Sequence, residues 1–145
     1  MKSEVIWSSK AMDYPTPQDF FDKLNEEFHF TLDPCADDNN HKCDKYYTEE
    51  QDGLRQDWSG EVVFCNPPYG RSLPRWVEKC FTETYARGCK CCVMLIPARV
   101  DTRWFHDYIY QRAEIRFIKG RLKFNGQKQP APFPSMVVVF RGSGQ

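Results

Sequence analysis

Residues 66–69 read Asn-Pro-Pro-Tyr and follow directly on the apolar run 61–65. Each proline fixes its own φ, Pro68 keeps Pro67 out of the helical region, and neither carries an N–H. The tetrapeptide is therefore stiff, with carbonyls aimed in set directions and no backbone donor at its centre. Asn66 adds a side-chain carbonyl beside the main-chain carbonyl of Pro67. Two converging acceptors suit an –NH₂ group, and Tyr69 offers a flat face to a planar ring. The exocyclic amine of a nucleobase has both features. Its lone pair is spread into the ring, which makes it a poor nucleophile. Accepting both of its hydrogens favours a pyramidal nitrogen that can attack a methyl sulfonium in line. Such chemistry rests on positioning and electrostatics and needs no strong base. The plainer reading of the same residues is a turn that ends a strand.

These residues need a scaffold. The stretch 15–28 starts like a helix, with Thr16 as a cap, Pro17 at the first position and Asp19 in the first turn. Residues 28–34 read as a short strand stopped by Pro34. Residues 36–57 are polar, with an extended piece near 45–48 and a turn or short helix at 53–56. Residues 61–65 form a buried strand. The stretch 72–88 is an amphipathic helix with Trp76, Val77, Cys80, Phe81 and Tyr85 inward, and 90–97 is another buried strand. A helix capped by Asp101 follows, then a strand over 113–124 bent at Gly120, and a last strand over 135–140. Apolar strands alternating with helices predict an α/β sheet, mostly parallel, with helices on both faces. The last two strands, with no helix between them, predict a hairpin-like antiparallel pair at one edge, an antiparallel edge strand on an otherwise parallel sheet. Ligands bind beyond the carboxyl ends of such strands. Asp33-Pro34-Cys35-Ala36, Asn66–Tyr69 and Pro97-Ala98-Arg99 all fall there.

Charge is split along the chain. Residues 1–65 hold 6 Lys/Arg against 15 Asp/Glu, and residues 66–145 hold 14 against 5. The second half therefore suits an anionic partner, although attraction between the halves accounts for part of the asymmetry. Its densest basic stretch, 116–128, contains Lys119, Arg121, Lys123 and Lys128 and no acid. The seven cysteines are an odd number and do not form a secreted disulfide framework. We assign no metal site, because Cys91 and Cys92 are consecutive strand residues and should face opposite ways. Cys65 ends a buried strand ahead of Asn66 and is not read as a nucleophile. Without an apolar run of membrane length or an opening signal peptide, the expectation is a cytoplasmic protein.

The ordered set "PTPQDFF", "LDPCAD", "DGLRQDW", "NPPYG", "PARVDTRWF", "GRLKF" and "PFPSMVVVF" resembles the small phage-type, Dam-like DNA N6-adenine methyltransferases across nearly the whole chain. The resemblance implies a reduced Rossmann-like fold that uses S-adenosylmethionine. About 28 residues separate the first strand from the second buried one, too few for two strands and two helices, so residues 36–57 should replace them. One catalytic domain over 1–145 is expected, with a loose arm over 1–12 and no target-recognition domain. In this resemblance Asn66 and Pro67 hold the adenine amine, Pro68 stiffens the loop, and Tyr69 stacks on the flipped base. Asp33, Pro34, Cys35 and Ala36 line the methionine part of the cofactor, with Asn66 nearby. Asp57 and Trp58 lie near the adenosine, and Thr16, Pro17 and Phe20 approach the methionine end. Duplex DNA is met by Arg71, Arg75 and the basic 119–133 loop, or by segment 37–52. A chain this small could dimerise to grip a duplex. Transfer to a cytosine N4, an RNA base or a glutamine amide, and a DNA-binding module without catalysis, are the competing readings.

Overall fold

The most apolar segments of the chain make the middle of one sheet. A computed structural model describes residues 14–144; the arm expected over 1–12 lies outside them. Six strands are present: β1 (Leu32–Asp33), β2 (Lys45–Tyr46), β3 (Val62–Cys65), β4 (Cys91–Pro97), β5 (Glu114–Phe117) and β6 (Ser135–Arg141), in the order β2-β1-β3-β4-β6-β5. All seven residues of β4 are buried, as are all but the last of β6. Unbroken apolar runs are what strands covered on both faces require. β2, β1, β3 and β4 pair in parallel, and β6 pairs antiparallel with both β4 and β5.

The expected antiparallel pair stands at one edge as β6 and β5, and the reversed strand, β6, lies one place in from that edge. Met136–Phe140 is apolar throughout and is stable only when flanked on both sides. β5 carries Glu114 and Arg116, which suit an edge. β5 is also shorter than expected. Its last ladder pair is Phe117 with Met136, and β6 begins one residue earlier, so after the Ile118 N–H, which donates to the Ser135 carbonyl at 3.3 Å, the ladder ends. Gly120 (φ +76°) lies in the long loop that follows.

Helix α1 (Gln18–Phe28) and helix α2 (Leu73–Ala86) cover opposite faces. Phe21 of α1 meets Phe64 edge-on at 5.1 Å, while Cys80 of α2 lies beside Cys65. Phe64 and Cys65 are neighbours on β3 and point to opposite sides, as strand geometry demands. α2 buries Trp76, Val77 and Cys80 as expected, but Tyr85 is 43 % exposed and Phe81 only half-buried. Glu83 takes the inward place instead. Its carboxylate accepts the Trp58 N–H at 2.8 Å and pairs with Lys79 at 3.2 Å, which compensates its burial.

Two expected caps differ. No side chain caps α1, because the Thr16 hydroxyl is engaged elsewhere. The segment after β4 forms only a short π-helical turn, Phe105–Ile109, and Thr102 rather than Asp101 accepts the Phe105 N–H.

Segment 36–57 contributes β2 and the 3₁₀ turn Gly53–Arg55. That turn is pressed against the loop after β1: a Cβ on Gly53 would stand 2.4 Å from the Pro34 carbonyl oxygen and 3.1 Å from the Trp76 ring. Gly53→Ala should therefore cost about 1–3 kcal/mol by overpacking, seen as a lower urea midpoint. Among the described residues no helix is long and apolar enough to cross a membrane.

Candidate active site

Parallel pairing puts the carboxyl ends of β1, β3 and β4 on one rim. The loops after them, 33–36, 66–69 and 97–99, share it as the sequence predicted. The β5–β6 pairing adds a fourth element. β5 runs the same way as β4 and β6 runs back, so loop 118–134 leaves and returns at this rim. The Ala98 N–H donates to the Pro134 carbonyl at 2.8 Å and ties the two loops together.

Pro67 and Pro68 are buried and Asn66 is half-buried. The Asn66 amide is held at both ends. Its Nδ2 donates to the Tyr14 carbonyl at 2.8 Å and to Thr16 Oγ1 at 2.9 Å, and its Oδ1 accepts from the Tyr69 hydroxyl at 2.5 Å. The Tyr69 oxygen also lies 3.0 Å from the Leu95 carbonyl. Burial holds the Tyr69 phenol well above its ordinary range, so it remains a neutral donor and not a base.

Tyr69 is not the open platform that the sequence suggested. It is 8 % exposed, and the Tyr14 ring lies stacked on it at 5.5 Å and 20°. Phe124 and Phe133, from loop 118–134, meet the Tyr69 ring edge-on at 6.4 and 5.7 Å. An exposed aromatic face is unfavourable in water, and Tyr14 covers it.

Beside this cage is a cleft of about 30 Å³ lined by Pro15, Thr16, Asp33, Cys35, Asn40, Lys42, Phe64 and Asn66. Four of the expected donor-site residues therefore come together: Thr16, Asp33, Cys35 and Asn66. Pro34 and Ala36 are buried in the same loop, and the Ala36 N–H donates to the Tyr47 carbonyl. Pro17 and Phe20 begin α1 but do not line the cleft. Asn40 and Lys42 were not anticipated. They sit in a polar segment whose sequence marks none of its residues out, and they arrive only through the chain's path back from β1 to β2. The Lys42 ammonium donates to Gln18 Oε1 at 2.8 Å.

Asp33 is 5 % exposed and accepts the N–H groups of Lys42 at 2.9 Å and Cys35 at 3.3 Å. Burial outweighs these bonds and pushes its carboxyl from an ordinary 3.8 up to about 6. The native state then binds a proton at pH 4–6 that the unfolded chain has released. The Asp33 contribution is complete below about 3.8 and lost as pH rises through about 6. Asp33→Asn does not titrate there. Relative to wild type it should gain about 2 kcal/mol of unfolding free energy between pH 4 and 7, measured by urea denaturation at both. A pH-independent difference between the two proteins would refute this.

Two expected residues do not reach the site. Trp58 is fully buried, and its indole N–H donates to the Gly53 carbonyl at 3.1 Å. Asp57 is exposed and accepts from the Ser59 N–H and hydroxyl, which hold its carboxyl below the ordinary range. Trp58 lies along α2, its main-chain N–H on Glu83 and its ring stacked on Trp76 at 6.4 Å, and neither residue lines the cleft beside Asn66. Asp57 shares an outer groove with Arg75, Glu78, Lys79 and Arg87. The turn Gly53–Arg55 of "DGLRQDW" packs against Pro34 behind the rim, while Asp57 and Trp58 follow α2 and do not meet Asn66.

The basic residues are better placed. Lys119, Arg121, Lys123 and Lys128 are exposed on loop 118–134, and Arg71 is exposed just after the motif. None of these five, nor Arg75, makes an ion pair among the described residues. Arg116, by contrast, is held by Glu27 and Glu114.

Cys65 is fully buried, with its sulfur 3.8 Å from that of Cys35. The His41 ring stacks on Tyr46 at 3.9 Å, and its Nδ1 lies 2.7 Å from the Cys43 carbonyl. Among the described residues no three or more His, Cys, Asp or Glu side chains group as metal ligands would.

The family model for DNA N-6-adenine-methyltransferase (Dam) matches residues 5–143. A DNA N-6-adenine-methyltransferase of Haemophilus phage HP1 is 33 % identical over 126 residues, covering 85 % of this chain and 71 % of that protein. One from Escherichia phage T1 is 30 % identical over 111 residues, covering 75 % of this chain and 45 % of that protein. The putative methyltransferase YfdM of Escherichia coli K12 is 41 % identical over 61 residues, 37 % of this chain and 67 % of that protein. The mixed α/β sheet is thus that of a methyltransferase. The chain belongs to the DNA N-6-adenine-methyltransferase (Dam) family.

Proposed function

We propose that this adenine-specific DNA methyltransferase takes its methyl group from S-adenosylmethionine and places it on adenine N6 in duplex DNA, using the rim site around Asn66. The observation that carries this reading is the Asn66 amide, anchored through its nitrogen so that its oxygen is left as the acceptor, with one lone pair taken by the Tyr69 hydroxyl, beside a cleft containing a buried carboxylate. The sheet supports a reduced Rossmann-like fold, since among the described strands β6 alone is reversed and it lies between β4 and the edge strand β5. A single domain over 1–145 carries the reaction in this reading. It acts in the cytoplasm of a bacterial or phage-infected cell, and a dimer would extend its grip on a duplex.

The chemistry of the cleft fits the donor. Asp33 is the one acid lining it and suits an ammonium; Lys42 suits a carboxylate; Cys35 and Phe64 supply apolar wall. At about 30 Å³ the cleft has room for roughly one water, so loading requires the 14–16 segment or the 33–36 loop to give way. When bound, S-adenosylmethionine supplies an electrophilic methyl group on a sulfonium. The rest falls to the chain. Asn66 Oδ1 and the Pro67 carbonyl accept the two amine hydrogens. Pro68 has no N–H with which to compete. Tyr69 stacks on the base, which takes the place now held by the Tyr14 ring. With Tyr69 neutral and no base at the motif, the product proton leaves to water.

The test is methyl transfer from labelled S-adenosylmethionine to duplex DNA, RNA and protein, followed by nucleoside analysis. Label recovered as N6-methyladenine from DNA supports the proposal. Label at cytosine N4, in RNA or in a glutamine amide would overturn it. DNA binding without any label would make the chain a binding module.

A further inference from the structure

We propose that Thr16 is a positioning residue for Asn66, and that the segment 14–16 it belongs to sets the orientation of the acceptor amide. The proposal rests on the function proposed above and deepens it. The Asn66 amide could in principle stand either way round. The Tyr14 carbonyl can only accept, so it forces Nδ2 toward itself at 2.8 Å and turns Oδ1 to the Tyr69 hydroxyl at 2.5 Å. Thr16 Oγ1, 2.9 Å from the same nitrogen, is the second anchor.

The two anchors are not equivalent. Tyr14 carries the ring that covers Tyr69, and a base stacking there must shift that ring and strain the carbonyl behind it. Thr16 is 3 % exposed and holds nothing over the base position. It is the anchor that can persist while the base enters. Loop 118–134 braces the segment from the other side. The Asn125 N–H donates to the Pro15 carbonyl at 3.1 Å, and its Nδ2 to the Thr16 carbonyl at 3.3 Å. The loop bearing Lys119, Arg121 and Lys123 is thereby joined, through Asn125 and Thr16, to the amide of Asn66.

Threonine ahead of proline at a helix start reads as a cap. In this fold the hydroxyl faces the motif instead. The test compares Thr16→Val, which keeps the shape and removes the acceptor, with Thr16→Ser, which restores it. Three measurements are made on each: kcat at saturating DNA and donor, donor Kd by calorimetry, and the Asn66 side-chain NH₂ resonances in a ¹H–¹⁵N spectrum, assigned with Asn66→Ala. The expected result for Thr16→Val is a kcat at saturating donor lower by about tenfold, the loss of one hydrogen bond's worth of positioning, with the Asn66 NH₂ signals shifted; donor Kd reports separately on the place of Thr16 in the cleft wall. Thr16→Ser should return both kcat and the resonances to wild-type values. The proposal is overturned if Thr16→Val keeps full kcat and unshifted resonances, if donor Kd alone changes, or if Thr16→Ser fails along with it. If the wild-type chain methylates no adenine, the functional reading fails, while the resonances still decide whether Thr16 orients Asn66.

Discussion

Asn66→Ala is expected to reduce methyl transfer by about 10²–10³-fold in kcat, the usual scale for removing one preorganised polar partner at a reacting centre. The substitution deletes the acceptor oxygen and, with it, the donor bonds to Tyr14 and Thr16. Binding of S-adenosylmethionine should change little, because Asp33 and Lys42 lie on other parts of the cleft wall. Single-turnover transfer and donor calorimetry separate the two effects. A matched loss of donor affinity with chemistry intact would give Asn66 a different role. Asn66→Asp should fall between alanine and wild type. It retains an acceptor but sets a carboxylate oxygen against the Tyr14 carbonyl.

Replacing Lys119, Arg121 and Lys123 together by alanine is expected to weaken DNA binding strongly and to flatten its salt dependence. Each phosphate contact contributes about 0.9 to the slope of log K against log salt, so losing three lowers its magnitude by up to ~2.7. All three side chains are exposed and unpaired among the described residues, on the loop whose Phe124 and Phe133 frame Tyr69. Because those aromatic residues remain, kcat at saturating DNA should survive while the DNA KM rises. An unchanged slope would move the DNA interface off this loop.

The fold was legible where side-chain type alone dictates an outcome. "KCCVMLIP" and "SMVVVF" are apolar on both faces and became the interior strands β4 and β6. "EIRF" alternates and became an edge. What could not be read was which strand lies inside. That depends on β6 inserting between β4 and β5, a choice made by burial of Met136–Phe140 rather than by any local preference. α2 shows the same limit. Its spacing pointed Tyr85 inward, but the carboxylate of Glu83 found compensating partners in Trp58, Lys79 and Arg87 and took that position.

The site divides in a similar way. The stiffness of Asn66–Tyr69 is a property of the residues themselves, and the shared rim follows from parallel strands, so the sequence by itself determined where the acceptors stand. Only the tertiary structure decided what meets them. Tyr14 and Thr16 lie about fifty residues away from Asn66 along the chain and reach it only because α1 packs on the face of β3 carrying Phe64. Lys42 and Asn40 come in through the return from β1 to β2, and Asp57 is carried away by α2. Rigidity and acceptor count are local, encoded in φ restriction and a missing N–H. Hydrogen-bond partners and burial are set by packing between distant segments, and a linear pattern does not hold that information.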